Sequence, residues 1–386
     1  MIKYSEKTLI DQSRIEWIDI YKGIMISLVV IGHATGKFNT WIYQFHMAAF
    51  FFCSGVLSNI EKKSNISFIV KKILSILLPY FSLGIVGILI NSVLDKAGIH
   101  EILFGNVFGG SWNSIKQLLL YGNSAVQYWG TFWFLSTLFG VEMLQLFICR
   151  SNKNKADFRY RSISLCLFLL GYWLIKNNIK PHIWIVDLDL VFIAQLYFVA
   201  GTFCRESDIF KMKVRENGGG GLLILIICFF VAFWGKQNGI VVDYPSRSFR
   251  YPFAECIVAL GSIIIVIYIS HFINRYLYAF KSILTLLGRN SLGIMTLHFL
   301  FFKIFFVILY EAGGLDIEEV KNVVMKDTAS SHYWLPLTIW AISGSLVSWN
   351  LAKKIPGISF MLGQDIKTNK LISEKILSLK FRDNIL

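Results

Sequence analysis

Charge is what this 386-residue sequence has least of: only 16% of it is Asp, Glu, Lys or Arg, while 55% is hydrophobic and the mean hydropathy is +0.57. That excludes an ordinary soluble domain, in which about a quarter of the residues are charged, and indicates a polytopic membrane protein. Acid is the scarcer sign, 24 residues against 38 basic ones, for a net charge of +14. Cytoplasmic loops enriched in Lys and Arg account for such an excess, so no nucleic-acid partner is expected. Cysteine forms no CxxC and no ligand-like spacing: Cys53, Cys149, Cys166, Cys204, Cys228 and Cys256 fall in or beside apolar runs. They are expected to pack, and neither a disulfide nor a metal site is expected. No cleavable signal pattern accompanies the first apolar run, which is therefore expected to stay as an anchor. The run Gly218 to Gly221 follows no strand and precedes no Lys-Ser/Thr, which excludes a phosphate loop and leaves a flexible lead into the next apolar run.

What the chain has in abundance is apolar runs. About twenty residues cross a bilayer, and ten candidate spans emerge: 17–34, 41–58, 70–91, 131–149, 162–176, 188–204, 221–235, 253–272, 287–310 and 333–352. The intervening Lys and Arg alternate as the positive-inside rule requires if the N-terminus is cytoplasmic. One set of loops carries Lys62, Lys63, Lys71 and Lys72, then Arg150 to Arg161, then Arg205 to Arg215, then Arg275, Lys281 and Arg289. The opposite set carries few, such as Lys37, Lys96, Lys116, Lys176 and Lys180. The expected fold class is all-α, a polytopic membrane helix bundle of about ten transmembrane helices with both termini cytoplasmic. It comprises a cytoplasmic N-terminal segment (1–16), a membrane domain (17–353) and a short basic tail (354–386), in the cell membrane and in contact with its lipids. Two outer segments exceed what a connection needs. Ser92 to Gly130 carries Trp112, Tyr121, Tyr128 and Trp129, an interfacial belt or a set of sugar-stacking rings; Glu311 to His332 is acidic.

The first span, WIDIYKGIMISLVVIGH, holds the chemistry-bearing residues most densely. At about 100° per residue, Lys22 and His33 fall on one helical face, some 16 Å apart along the axis, and Asp19 lies one turn before Lys22. Ionisable groups in a lipid-compatible helix are costly unless they face protein or a wet cavity. His33 lies toward the outer end and suits proton transfer at neutral pH. His46 follows on the second span, also near the outer end, after a short connection, so the two imidazoles are expected in one cavity. Glu142, in the middle of the fourth span, needs a cationic or protonating partner, for which Lys22 is the candidate. His298 in the ninth span is expected at a similar depth as a supporting or simply hydrogen-bonded imidazole, with Asn290 and Ser291 upstream as further supporting residues. Lys303 is expected to snorkel outward. Lys71 and Lys72 open the third span on the cytoplasmic side and are either topology signals or contacts for a polyanionic ligand.

At these residues the chain resembles the acyltransferase family 3, integral membrane enzymes that O-acetylate bacterial polysaccharides and related glycans; its fucose 4-O-acetylase-like branch looks most similar. The resemblance rests on WIDIYKGIMISLVVIGH, with the family's Arg/Lys, ten residues, His pattern as Lys22 and His33, and on YQFHMAAFFFCSGVL, KKILSILLPY, FWFLSTL and GRNSLGIMTLH in the family's order. The chain departs from relatives at Ala48 and Ala49, where Pro-Leu is common, and at the start of the third span, where Lys replaces Arg and loses its bidentate fork. The resemblance implies a cytoplasmic acyl-coenzyme A donor, an extracytoplasmic or lipid-linked glycan acceptor, about ten helices, no resident cofactor, and an essential first-span His. Under that reading His33 is the catalytic base with His46 beside it, and Asp19, Lys22, Lys71, Lys72 and Glu142 bind or support acetyl-CoA. The alternative is a proton-coupled transporter or glycan-lipid flippase using the same charges; the sequence shows no internal repeat and only six prolines.

Overall fold

Apolar runs become helices because a chain crossing hydrocarbon must satisfy its own backbone hydrogen bonds. The computed structural model describes residues 15–58, 60, 65–121, 130–151, 158–206, 218–324 and 327–364. Tyr128, Trp129, and most of the N-terminal segment and the basic tail lie outside these residues. The principal helices are α1 (Glu16–Ala34), α2 (His46–Leu57), α3 (Asn65–Lys96), α4 (Phe132–Ser151), α5 (Phe158–Lys176), α6 (Leu188–Glu206), α7 (Gly218–Gln237), α8 (Pro252–Tyr276), α9 (Tyr278–Arg289), α10 (Ser291–Glu311) and α11 (Asp327–Ala352).

Among the described residues eight helices are long and apolar enough to cross a membrane, and α2 and α5 supply two shorter apolar helices. Each of the ten predicted spans therefore has its helix, two of them shorter than a full crossing. The glycine run is not a flexible lead: α7 begins at Gly218. Helix α9 is an addition, a 12-residue segment in what the sequence offers as a basic connection. It lies along α1, and their backbones touch. A Cβ on Gly288 would sit 1.8 Å from the Asp19 carbonyl oxygen, and one on Gly23 would sit 2.1 Å from that of Leu284. Glycine at both positions permits the approach, as small residues do between membrane helices.

Helix α3 contains a π turn over Ile73–Leu77 just before Pro79. Proline has no N–H to return to the preceding turn, and the wider turn absorbs that defect. Helix α1 sits at the centre, packed by α2, α8, α9, α10 and α11. Helix α7 is peripheral, with Leu222, Leu223, Phe229 and Phe230 exposed as suits a lipid-facing surface. Sheet among the described residues is confined to a two-residue hairpin, His182–Ile183 against Val186–Asp187.

Lys303 does not snorkel. It is 6% exposed, and its ammonium donates to the carbonyls of Leu103 (3.0 Å), Asn322 (2.9 Å) and Val320 while lying 4.9 Å from the Phe104 ring centroid. Three carbonyls replace the water that a snorkelling ammonium would seek. The contact pins two short outer helices, His100–Phe104 and Ile317–Val320, onto α10.

Candidate active site

The outer end of α1 is where the predicted histidines meet. Helix α1 stops at Ala34, Thr35 turns extended, and the chain returns through two short turns to start α2 at His46. Tyr43, in that return, joins the two imidazoles. Its hydroxyl makes long contacts to the Gly32 carbonyl (3.3 Å) and to Nδ1 of His33 (3.4 Å), and its ring stacks on His46 with centroids 4.7 Å apart. Nδ1–H of His46 donates to the Ile42 carbonyl at 3.1 Å. A carbonyl only accepts, so the lone pair of neutral His46 is on Nε2.

His298 is not at mid-depth with Glu142 but against His33. The two rings stack with centroids 5.4 Å apart and planes 19° from parallel, and Phe299 touches His33 at 4.8 Å. His298 is fully buried. Its Nδ1–H donates to the Ile294 carbonyl at 3.0 Å, and its Nε2 has no partner among the described residues.

A cavity of about 200 Å³ opens beside this cluster, lined by His33, Tyr43, His46, Trp133, Asp243 and Phe299 together with apolar neighbours. Gly130 and Pro245 on its wall are exposed, which marks its mouth. Trp133 belongs to the first turn of α4, held by the Thr131 hydroxyl donating to the Met295 carbonyl at 2.9 Å. Asp243 comes from the loop between α7 and α8. That loop is fixed by Val242 N–H donating to the Tyr43 carbonyl at 2.8 Å and by Tyr244 stacking on Trp133 at 5.6 Å. Arg247, at φ +54°, anchors the same loop to α6 through Asp189 (2.6 Å) and to the hairpin through Asp187 (3.1 Å). Burial opposes the guanidinium charge, but Asp189 and then Asp187 outweigh it and hold Arg247 above its usual range.

The other predicted residues gather at the opposite end, the one that the Lys and Arg pattern assigns to the cytoplasm. Asp19 pairs with Lys22 (2.8 Å) and with Arg289 of α9 (3.3 Å). Glu142 does not pair with Lys22. Its partner is Lys72, because the π-turn segment of α3 packs on α4 there while Asp19 lies one turn from Lys22 on its own helix. Lys71 is exposed beside this pair. Asn290 accepts from Lys353 (2.6 Å) and donates to the Leu286 carbonyl (2.8 Å), so it ties α10 to α11. With Ser291 at the start of α10, it lies about 10 Å of helix below His298 and outside the cavity wall.

Three cavity residues escaped the sequence reading. Tyr43 and Trp133 stood inside quoted stretches, YQFH and FWFLSTL, with nothing to separate them from other aromatics. Asp243 is an acid in a loop, and only the fold carries it to α1. Among the described residues no three His, Cys, Asp or Glu side chains are grouped to hold a metal.

A family model described as an acyltransferase domain matches residues 15–350. No curated protein and no solved structure matches the chain.

Proposed function

We propose, from the premise that this chain belongs to the acyltransferase domain family, what it transfers and how. It is a membrane acyltransferase. The donor is a cytoplasmic acyl-CoA, acetyl-CoA above all, the acceptor a hydroxyl of an extracytoplasmic or lipid-linked glycan, and the base His33. The observation that carries this reading is the cluster of His33, Tyr43 and His46 on one cavity, at the end of α1 opposite the basic groups.

The proton inventory suits a base. Tyr43 has one hydroxyl proton; donated to the Gly32 carbonyl, it leaves the oxygen to accept from Nδ1–H of His33. Nε2 of His33 is then the basic atom. It takes the proton of the acceptor hydroxyl as that oxygen attacks the thioester carbonyl. The C–S bond breaks, an ester forms, and the coenzyme A thiolate leaves with the proton held by His33. A variant in which His33 first carries the acyl group uses the same atoms in two steps. The cavity is smaller than the roughly 300–1,000 Å³ of drug-sized pockets, which favours a short acyl group.

On the cytoplasmic side, Lys71 and Lys72 with Lys22 and Arg289 form the basic region toward which donor phosphates would be drawn. Asp19 holds Lys22 and Arg289 in place, and Glu142 holds Lys72. The thioester then has about 16 Å to travel along α1 from Lys22 to His33. Transport or flipping draws on no observation that favours it, since the buried carboxylates predicted for such a path, Asp19 and Glu142, are paired with cations within the bundle.

The test is acyl transfer in membranes. Wild-type membranes given labelled acetyl-CoA should esterify glycan, and His33→Ala should abolish this while remaining folded in detergent. Full transfer by that variant would refute the assignment.

A further inference from the structure

Among the described residues the cavity wall carries one carboxyl side chain, Asp243, and no Lys or Arg. Its Oδ2 accepts from the Ser246 hydroxyl at 2.6 Å, which fixes the carboxylate, and Oδ1 takes no hydrogen bond among the described residues. Ser248 N–H donates to the Asp243 carbonyl at 3.0 Å and closes the turn. The nearby cation Arg247 is committed to Asp189 and Asp187, away from the cavity wall. Trp133 lines the same cavity, stacked on Tyr244. A fixed carboxylate beside an indole suits a sugar ring: the carboxylate accepts from hydroxyls, and the indole covers the ring's C–H face.

We propose that Asp243 is an acceptor-binding residue that receives the hydroxyls of a neutral sugar and excludes acceptors carrying a carboxylate or phosphate at that position. The inference rests on the acyl-transfer reading for its substrate class, but the binding it describes does not require turnover. An anionic sugar would bring a second negative charge to Asp243 with no Lys or Arg among the described wall residues to offset it. Like-charge juxtaposition of this kind is how a site rejects a near-isosteric competitor.

The experiment uses the full chain in detergent with methyl glycosides matched except at C6: glucoside and glucuronide, galactoside and galacturonide, mannoside and mannuronide. Binding is read by intrinsic tryptophan fluorescence in the His33→Ala background, and transfer by label from acetyl-CoA in the wild type. The neutral member of at least one pair should bind at least about tenfold more tightly than its uronide, and Asp243→Asn should erase most of that ratio while Asp243→Glu retains it. Equal binding of all pairs, no binding of any, or a ratio unchanged in folded Asp243→Asn would overturn the proposal. Discrimination in binding without label transfer would sustain the role of Asp243 and count against the acyl-transfer reading instead.

Discussion

The imidazoles of His33 in α1 and His298 in α10 stack nearly parallel with centroids 5.4 Å apart, although most of the membrane domain separates them in sequence. His298 holds its own tautomer through the Ile294 carbonyl and offers His33 a flat wall. One imidazole of the pair reaches the cavity, and the other sets its plane.

Replacing His298 should therefore act through His33. His298→Ala removes a fully buried ring and is expected to cost about 2–4 kcal/mol in stability. It should also lower kcat up to about a hundredfold by freeing the His33 ring. His298→Phe preserves the stack and should recover most of both, as measured by thermal unfolding in detergent and steady-state transfer. Equal kcat in wild type and the Ala variant would dissociate the stack from catalysis.

Tyr43→Phe keeps the ring on His46 but removes the hydroxyl from His33. We expect kcat to fall about tenfold with little change in KM, because an orienting contact is lost and a binding contact is not. A change confined to KM would assign Tyr43 to acceptor binding.

Glu142 tests the end that the Lys and Arg pattern assigns to the cytoplasm. Its side chain is 2% exposed against 18% for Lys72, so removing Lys72 strands a buried carboxylate. Lys72→Met should destabilise by about 3 kcal/mol, and the cycle with Glu142→Gln should show a coupling of about 1–3 kcal/mol. The same cycle between Lys22 and Glu142 should show almost none. A large Lys22 coupling would contradict the pairing seen here.

Lys303→Met should loosen the outer helices without touching α1. Three carbonyls lose their donor, at about 1.5–3 kcal/mol for a charged hydrogen bond. Hydrogen exchange should rise over His100–Phe104 and Ile317–Val320 and stay unchanged at the Asp19 end of α1. Uniform protection throughout would show that other contacts hold these helices.

The ten apolar runs and the two histidines of the cavity were legible in the chain itself. Apolar length and the Lys and Arg alternation report on the bilayer, an environment each segment meets separately, so ten runs could be read one at a time. His33 and His46 are separated by a turn too short to keep them apart, and their shared cavity follows from chain geometry. Helix α9 was hidden because it is only 12 residues long and its segment is punctuated by Lys281 and Arg289, which reads as a basic connection.

Composition, span pattern and the stretch from Trp17 to His33 determined by themselves that this is a multi-pass helical membrane protein with titratable groups along its first helix. Tertiary structure alone decided the partners: His298 with His33, Lys72 with Glu142, Arg289 with Asp19, and Asp243 on the cavity wall. The reason is physical. Crossing a membrane is a property of one segment and its solvent, whereas the neutralisation of a buried charge depends on which distant helix packs against it.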